Sequence, residues 1–428
     1  MIKPQEGKTP LEPKAITVQG GIPLEGSVAP DGAKNSSLYA LLTSLFIEEG
    51  WMTFENVPMI TDIKMTLKTL EETGLKYKIH QDTLKIYGHA SRGQVSDQFA
   101  SKIRSSTTLL GPLISRFGHA VIPLPGGDKI GDRPINYHLQ VMKAFGVDTH
   151  IEGGFVHAKL EGPLTGRDIY LTYPSVGATI NAIFMAIKAQ GTSVIFNAAK
   201  EPEIVDLISI LSKMGADIHG GGTQQITIKG VDHLKACSHD IMPDRLEAGA
   251  LLMSFAVTGG KGQVRGSIPD HNFPLIHLLR STGIQVQIQE DVIHIDASRP
   301  KKGFDVETSP YPGLATDLQA VCTAFALTCP ARSSIKDTVF KDRFGHVDEL
   351  RKMGAQIQKE GNKIHISPTD RLSGGRVKGG DIRSVVSLIL AALSTEDQTT
   401  IEGVDHLLRG HVNFIDKLQK LNSNIQYT

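Results

Sequence analysis

The sequence predicts an α/β (α+β) protein built from six pseudo-repeats of about 70 residues, three in each of two domains. Two observations predict it. A short pattern, Leu followed by two or three mixed residues, Gly and an alternating polar/apolar run, recurs as LEETGLKYKI, MKAFGVDTHI, LSKMGADIHG, LRSTGIQVQI, LRKMGAQIQK and, degenerate at the end, LQKLNSNIQY. Its pivots, Gly74, Gly146, Gly215, Gly283, Gly354 and Asn422, lie 72, 69, 68, 71 and 68 residues apart. Two sets of polar residues keep a closely similar period: Lys34, Arg104, Ser175, Asp244, Asp317 and Asp381, then Asp62, Arg133, Glu203, Asp270, Arg343 and Arg409.

Each pivot suits a helix C-cap, where a left-handed residue closes the helix; Gly adopts that conformation most easily and Asn next. A strand follows, since TLKIYG, FVHAKL, QITIKG, VIHIDA and KIHISP all alternate. The first polar set opens apolar helices and the second amphipathic ones. Polar residues at helix starts are ordinarily caps. Lys and Arg cap nothing and oppose the positive helix N-terminus, at about 0.3–1 kcal/mol, unless an anion arrives there. Five of the twelve starts carry such a cation: Lys34, Arg104, Arg133, Arg343 and Arg409. Repetition brings these starts to one end of the assembly, where they are expected to meet negative charge. Division by unit gives one domain over 31–242 and a second over 1–30 plus 243–428, with chain crossings near Pro30 and Pro243 and a cleft between the domains.

Composition narrows the function. With 428 residues and 40% of them hydrophobic, the chain can bury two or three cores. Its 45 Lys and Arg balance 45 Asp and Glu, which disfavours a nucleic-acid partner. Apolar runs such as AGALLMSFAV and SVVSLILAAL are too short to span a bilayer, so no membrane partner is expected. The N-terminus lacks the apolar stretch of a secretory signal, and Cys237, Cys322 and Cys329 form no CxxC pair, which reads as a reducing cytoplasm. The 16 His show no HExxH or paired metal spacing; no metal or cofactor is expected, and most of these His are expected to be solvated. Trp51 and the Phe residues read as core, and Cys322 and Cys329 as buried and inert.

The segments GAKNSS, RSSTTLLGPLISRFG, LPGGDKIGDRPINYH, PSVGATIN, EPEIVD, PDRLEAG, PYPGLATDLQA, DRFGHV, GGDIR and HLLRG follow one another along nearly the whole chain. In this order they resemble the UDP-N-acetylglucosamine 1-carboxyvinyltransferases. The resemblance implies a two-domain inside-out α/β barrel. It implies transfer of the enolpyruvyl group of phosphoenolpyruvate to the 3-hydroxyl of UDP-N-acetylglucosamine, with release of phosphate and without a metal. It also implies a monomer or weak homo-oligomer acting at the start of peptidoglycan synthesis.

Residue by residue, the resemblance assigns Lys34 to phosphoenolpyruvate and Asn35 to the sugar. A Lys on a Gly-Ala turn at a helix start is a mobile point charge suited to phosphate. Arg104, Arg133, Arg343, Arg383 and Arg409 match the anion-binding arginines, whose guanidinium forks fit both phosphate and carboxylate; Arg104 and Arg133 also reach the sugar nucleotide. Ser175, Val176 and Gly177 match the diphosphate cradle. Pro134, Ile135, Asn136 and His138 lie in the stretch that packs on uracil, with Asn136 where the family usually has Asp, and Val339 joins the sugar-nucleotide contacts. Asp317 is the general base, or the positioner of the attacking hydroxyl if its pKa stays low. Asp381 polarises the reacting centre or orients Arg383, and His138 and His406 are further substrate contacts. Asp128 stands on a Gly-rich loop, with Gly126, Gly127 and Gly131, where most members carry Cys. As an acid it can still protonate the methylene carbon, provided its pKa is raised about two units or more. A carboxylate is a poorer nucleophile toward an epoxide than a thiolate, so fosfomycin resistance is expected.

Glu201, Glu203, Asp244, Arg245 and Glu247 read as interdomain ion pairs. Other readings stay open at this point: an enolpyruvyl transferase acting on another nucleotide or on shikimate phosphate, and a non-catalytic UDP-sugar-binding regulator. A related RNA-processing enzyme is disfavoured by the neutral charge.

Overall fold

All six pivots adopt the left-handed backbone that ends a helix, with φ of 108° at Gly74, 80° at Gly146, 103° at Gly215, 97° at Gly283, 88° at Gly354 and 67° at Asn422. The computed structural model describes residues 14–80, 83–126 and 135–428. Each unit contributes one helix buried along most of its length and one amphipathic helix. The buried set is Lys34–Leu42, Leu110–Phe117, Val176–Ala186, Arg245–Thr258, Gln319–Ala326 and Ile382–Leu393. The amphipathic set is Thr61–Glu72, Asn136–Ala144, Pro202–Lys213, Phe273–Ser281, His346–Lys352 and Phe414–Lys420.

Among the described residues, five sheets have four strands and one has three. Each contains the antiparallel pair that a pivot introduces, such as Leu75–His80 with Thr83–Gly88 or Val147–Glu152 with Phe155–Leu160. The strands alternate buried and exposed residues, as one-sided sheets must. Helices such as Val176–Ala186, buried from Ala178 to Ala186, therefore lie inside, with the sheets around them. This is a barrel turned inside out.

Among the described residues, two hydrophobic cores result. One holds side chains from Ala33 to Met242. The other joins Ile16 to Val28 with residues from Ala248 to Ile425. The strand Ala15–Gln19 accordingly pairs with Gln398–Glu402, and Glu25–Val28 with Lys261–Val264. The chain passes between the cores twice, and the two passages are clipped together. Gly32 and Pro243 form an antiparallel bridge, Ala33 N–H donates to Met242 O at 2.8 Å, and Asp244 N–H donates to Asp31 O at 2.8 Å. Beside the clip, buried Lys417 pairs with Asp31 at 2.8 Å and with Glu247 at 2.7 Å, and Glu247 Oε2 accepts from Asp31 N–H at 2.6 Å. Burial pushes the Glu247 carboxyl up; Lys417 opposes the shift and Asp31 adds to it, leaving the pKa at about 7.

Two expectations are corrected. Trp51 is not core: it is 43% exposed on the outer face of its strand, stacked on Tyr87 at 4.0 Å, while Met52 and Phe54 face inward. Among the phenylalanines, Phe196 and Phe273 are also exposed. Most of the His are not buried, as expected; His138, His239 and His346 are the buried ones. Cys322 and Cys329 are buried as expected, and burial pushes their thiols up to about 12 and 11. Among the described residues, no helix is long and apolar enough to cross a membrane.

The pivot glycines carry a test. A Cβ at Gly215 meets no atom within 4 Å, so only its φ of 103° opposes a side chain. Gly215→Ala is expected to lower the unfolding free energy in urea by about 1–2 kcal/mol, whereas Asn422→Gly leaves it unchanged or raises it.

Candidate active site

Four of the buried helices direct their N-terminal ends at one cavity. It is lined by Lys34 and Asn35, by Asp244 and Leu246, by Asp317 and Leu318, and by Ile382 and Arg383, with Gly410 and His411 at its side. The first pair comes from one core and the rest from the other side of the crossing. Helix N-termini present unsatisfied N–H groups and a positive dipole end, so their convergence makes the cavity a place for an anion.

The local sequence explains the arrangement. Ala33 leaves the Lys34–Leu42 helix without a side-chain cap, and the Lys34 N–H is taken instead by Asp244 Oδ2 at 3.1 Å. Asp244 Oδ1 caps its own helix through Leu246 and Glu247 N–H, at 2.7 and 3.1 Å, so one carboxylate ties two helix starts together. Asp381 caps the Ile382–Leu393 helix, accepting from Arg383 N–H at 2.8 Å and Ser384 N–H at 3.0 Å. It thereby fixes the backbone from which Arg383 projects.

Two carboxylates hold the cations. Asp62, 5% exposed, accepts from Lys34 Nζ at 2.8 Å and from Arg409 Nε at 3.0 Å. Asp317 Oδ1 accepts from Arg343 Nη2 at 2.8 Å and from Arg383 through Nε and Nη2. Burial pushes the Asp317 carboxyl up, but the charges of Arg343 and Arg383 and their hydrogen bonds outweigh it and hold the group well below the usual carboxylate range. Burial, with Arg383 nearby, pulls Arg343 down to about 10. Thr316 Oγ1 accepts from Arg343 at 2.9 Å and donates to Asp337 at 2.6 Å. Asp337 in turn takes the N–H groups of Val339 and Phe340, each at 2.9 Å, which sets the course of the chain at Val339.

A second cluster surrounds Ser175, the N-cap of Val176–Ala186. His138 Nδ1 meets Asn181 Nδ2 at 2.8 Å, and Asn181 also bonds Gly111 N and Thr107 O. Burial, then Arg104, lowers His138 to about 4, so the ring is neutral, and with Nδ1 accepting its proton sits on Nε2. The ring lies against Gly177: a Cβ there would stand 2.5 Å from His138 Cε1. Burial lowers Arg104, opposed by Tyr39. Tyr137 and Tyr173 stack at 5.8 Å beside this cluster. Between the cores, Arg245 pairs with Glu203 at 3.1 Å, and Tyr311 N–H donates to Glu201 at 3.5 Å.

The profile of the family described as EPSP synthase (3-phosphoshikimate 1-carboxyvinyltransferase) matches residues 18–418. The chain belongs to this family of enolpyruvyl transferases. A protein of Staphylococcus epidermidis named UDP-N-acetylglucosamine 1-carboxyvinyltransferase 1 is 41% identical over 415 residues, 96% of this chain and 98% of the relative. A protein of Staphylococcus saprophyticus named UDP-N-acetylglucosamine 1-carboxyvinyltransferase 2 is 38% identical over 416 residues, 96% of this chain and 99% of the relative. Two solved structures share the fold. The enolpyruvyl transferase NikO from Streptomyces tendae superposes with a TM-score of 0.86 at 22% identity, over 96% of this chain and 98% of that one. EPSP synthase from Acinetobacter baumannii does so with a TM-score of 0.74 at 18% identity, over 97% and 100%.

Within the family fold, Lys34, Asn35, Asp317 and Arg383 line the cavity, and Arg343 and Arg409 join it through Asp317 and Asp62. Arg104, His138, Ser175, Val176 and Gly177 form the second cluster, beside which Ile135 precedes the helix that Asn136 begins. Asp128, Arg133 and Pro134 lie outside the described residues, as do Gly127 and Gly131. Two placements differ from the periodic expectation. Arg343 lies three residues before its helix, and Arg409 ends a 3-10 turn, Val404–Arg409, rather than opening a helix. Arg343 and Arg383 hold the Asp317 carboxyl below the usual carboxylate range, the condition under which a positioning role was expected. Sequence reasoning placed Asp62 at a helix start without giving it a partner, and it missed Thr316, Asp337 and His411. Only the position of Asp62 in the register carried a signal for it.

Buried His346, whose Nε2 lies 3.1 Å from Thr323 Oγ1, is lowered to about 4 by burial, with Asp381 opposing. Below its ordinary value of 6.5 the unfolded chain takes up a proton that the folded chain refuses, so stability present above pH 6.5 is lost as pH falls toward 4. Urea unfolding at pH 7 and pH 5 should show His346→Gln losing roughly 1–2 kcal/mol less than the native chain over that interval.

Proposed function

We propose that this chain transfers the enolpyruvyl group of phosphoenolpyruvate to the 3-hydroxyl of UDP-N-acetylglucosamine, releasing phosphate. The observation that carries the reading is the cavity where Lys34, Asp317 and Arg383 meet at converging helix starts. The full-length likeness to proteins named for this reaction supports it. The reading brings with it a cytoplasmic location, a part in peptidoglycan synthesis, and a site between domains 31–242 and 1–30 plus 243–428.

In this reading Lys34 and Arg409 receive the phosphate, and Arg343 and Arg383 the carboxylate, of phosphoenolpyruvate. Arg104 and Arg133 add positive charge shared with the diphosphate. Neutral His138, the Ser175–Gly177 turn, Asn35, Val339 and the stretch from Pro134 through Ile135 and Asn136 bind the sugar nucleotide. The acceptor oxygen bonds to the central carbon of phosphoenolpyruvate while a proton from Asp128 goes to the methylene carbon. The reverse proton movement then expels phosphate and restores the double bond.

Arg343 and Arg383 hold Asp317 as a carboxylate and lower its affinity for a proton. A substrate carboxylate that draws those two guanidinium groups away raises its basicity. The arriving substrate would thus switch Asp317 from positioning the hydroxyl to deprotonating it. Asp381 acts one step back by fixing Arg383.

The test is phosphate release from phosphoenolpyruvate with UDP-N-acetylglucosamine, other UDP-sugars and shikimate 3-phosphate as acceptors. UDP-N-acetylglucosamine should be preferred, and no release with it would refute the reading. Asp128→Ala should lower kcat by roughly 10²–10⁴-fold, the contribution of a positioned acid. The native chain should keep its activity after incubation with fosfomycin, while Asp128→Cys should be progressively inactivated.

A further inference from the structure

Lys34 and Arg409 come from opposite sides of the chain crossing, yet both end on one carboxylate. Asp62 Oδ2 lies 2.8 Å from Lys34 Nζ, and Asp62 Oδ1 and Oδ2 lie 3.0 and 3.5 Å from Arg409 Nε and Nη2. Asp62 stands in the first turn of Thr61–Glu72, where the helix dipole favours its negative charge. Its side chain is 7% exposed, while those of Lys34 and Arg409 are 18% and 22% exposed, so the cations can be reached without the carboxylate being solvated.

We infer that Asp62 is an internal surrogate for the substrate's phosphate, holding Lys34 and Arg409 together until an external anion displaces it. The inference rests on the assignment of those two cations to phosphoenolpyruvate. A phosphate carries up to two charges and three terminal acceptor oxygens against the single charge of Asp62, so it competes for both cations at once. Asp62 therefore sets how strongly the empty site binds small anions. It keeps Lys34 and Arg409 in register, at the cost of weakening the first binding of phosphate. Asp62 is a positioning and gating residue, not a catalytic one.

The experiment is calorimetric titration of inorganic phosphate, and separately of phosphoenolpyruvate, into the native chain, Asp62→Asn and Asp62→Glu without sugar nucleotide. Asp62→Asn should bind phosphate about tenfold more tightly than the native chain, a change of about 1.4 kcal/mol. Asp62→Glu, which keeps the charge, should stay within a few fold of native. Unchanged or weaker phosphate binding by a folded Asp62→Asn would overturn the inference and make Asp62 a plain scaffold for the cations. If Asp62→Asn does not fold, Asp62→Glu decides, because a gain in phosphate affinity with the charge retained contradicts competition. Binding of phosphate does not depend on the acceptor. A tenfold gain in a chain that fails to turn over UDP-N-acetylglucosamine would sink the proposed reaction and leave the gate standing.

A separate observation concerns the hairpin of Val147–Glu152 and Phe155–Leu160, closed by Gly153 and Gly154 with φ of 57° and 83°. His150 and His157 are direct cross-strand partners with rings stacked at 5.0 Å and 7°. Glu152, two residues on, shares their face, and its Oε2 lies 3.9 Å from His150 Nε2. One donor atom from each of the three side chains lies within 4.8 Å of the others, and His150 and Glu152 are exposed. The geometry points to a divalent transition-metal site of two imidazoles and one carboxylate, with water completing the shell. An ion there ties both strands of a turn whose Gly154 carbonyl receives the Leu124 N–H at 2.8 Å.

Titration with zinc chloride and with copper sulfate at pH 7.5 should show one ion bound per chain, copper more tightly than zinc. Binding should be lost in His150→Ala/His157→Ala, with a cooperative thermal transition showing that the variant is folded. Absence of binding to the native chain, or binding that survives the double substitution, overturns the assignment.

Discussion

Positive charge without a counter-charge is the constraint on which this structure turns. Four helix N-termini and the side chains of Lys34, Arg343, Arg383 and Arg409 gather around one small cavity, and such a concentration would repel itself in a partly dry setting. The chain answers with its own carboxylates. Asp62 and Asp317 each collect two cations, and Asp244 and Asp381 take up exposed N–H groups at the helix starts. Among the described residues, the charges of the site are thus largely paired.

The same economy shapes the second cluster by a different means. His138 is neutral because burial and Arg104 oppose its charging, and it is oriented because Asn181 occupies Nδ1. Gly177 is needed because the ring stands where a side chain would. One cluster is held by paired charges and the other by a neutral hydrogen-bonded network.

Much of the architecture was legible in the sequence because it is local. A Gly or Asn at each pivot has one backbone state that ends a helix, and Asn422 adopts it as the glycines do. Caps such as Ser175, Asp244 and Asp381 act on N–H groups two or three residues away, so their roles follow from position. Partner choice is not local. Asp62 finds Arg409 at a separation of 347 residues, and Asp317 finds Arg383 at 66. Periodicity could place these residues at turns and helix starts but could not say which carboxylate would meet which cation. It also put Arg343 and Arg409 in first helical turns, whereas short 3-10 and irregular segments carry them. Trp51 was misread for another reason. Residue type favours burial, but in WMTFE the alternation of Met52 and Phe54 inward turns Trp51 outward, and pattern outweighs type.

The two passages of chain between the cores are joined to each other by backbone hydrogen bonds and braced by Lys417. A single strap lets its attached bodies twist as well as bend. A clipped pair resists torsion and sliding. Groups carried on opposite sides of the clip, such as Lys34 and Arg409, are thereby kept facing each other across one carboxylate.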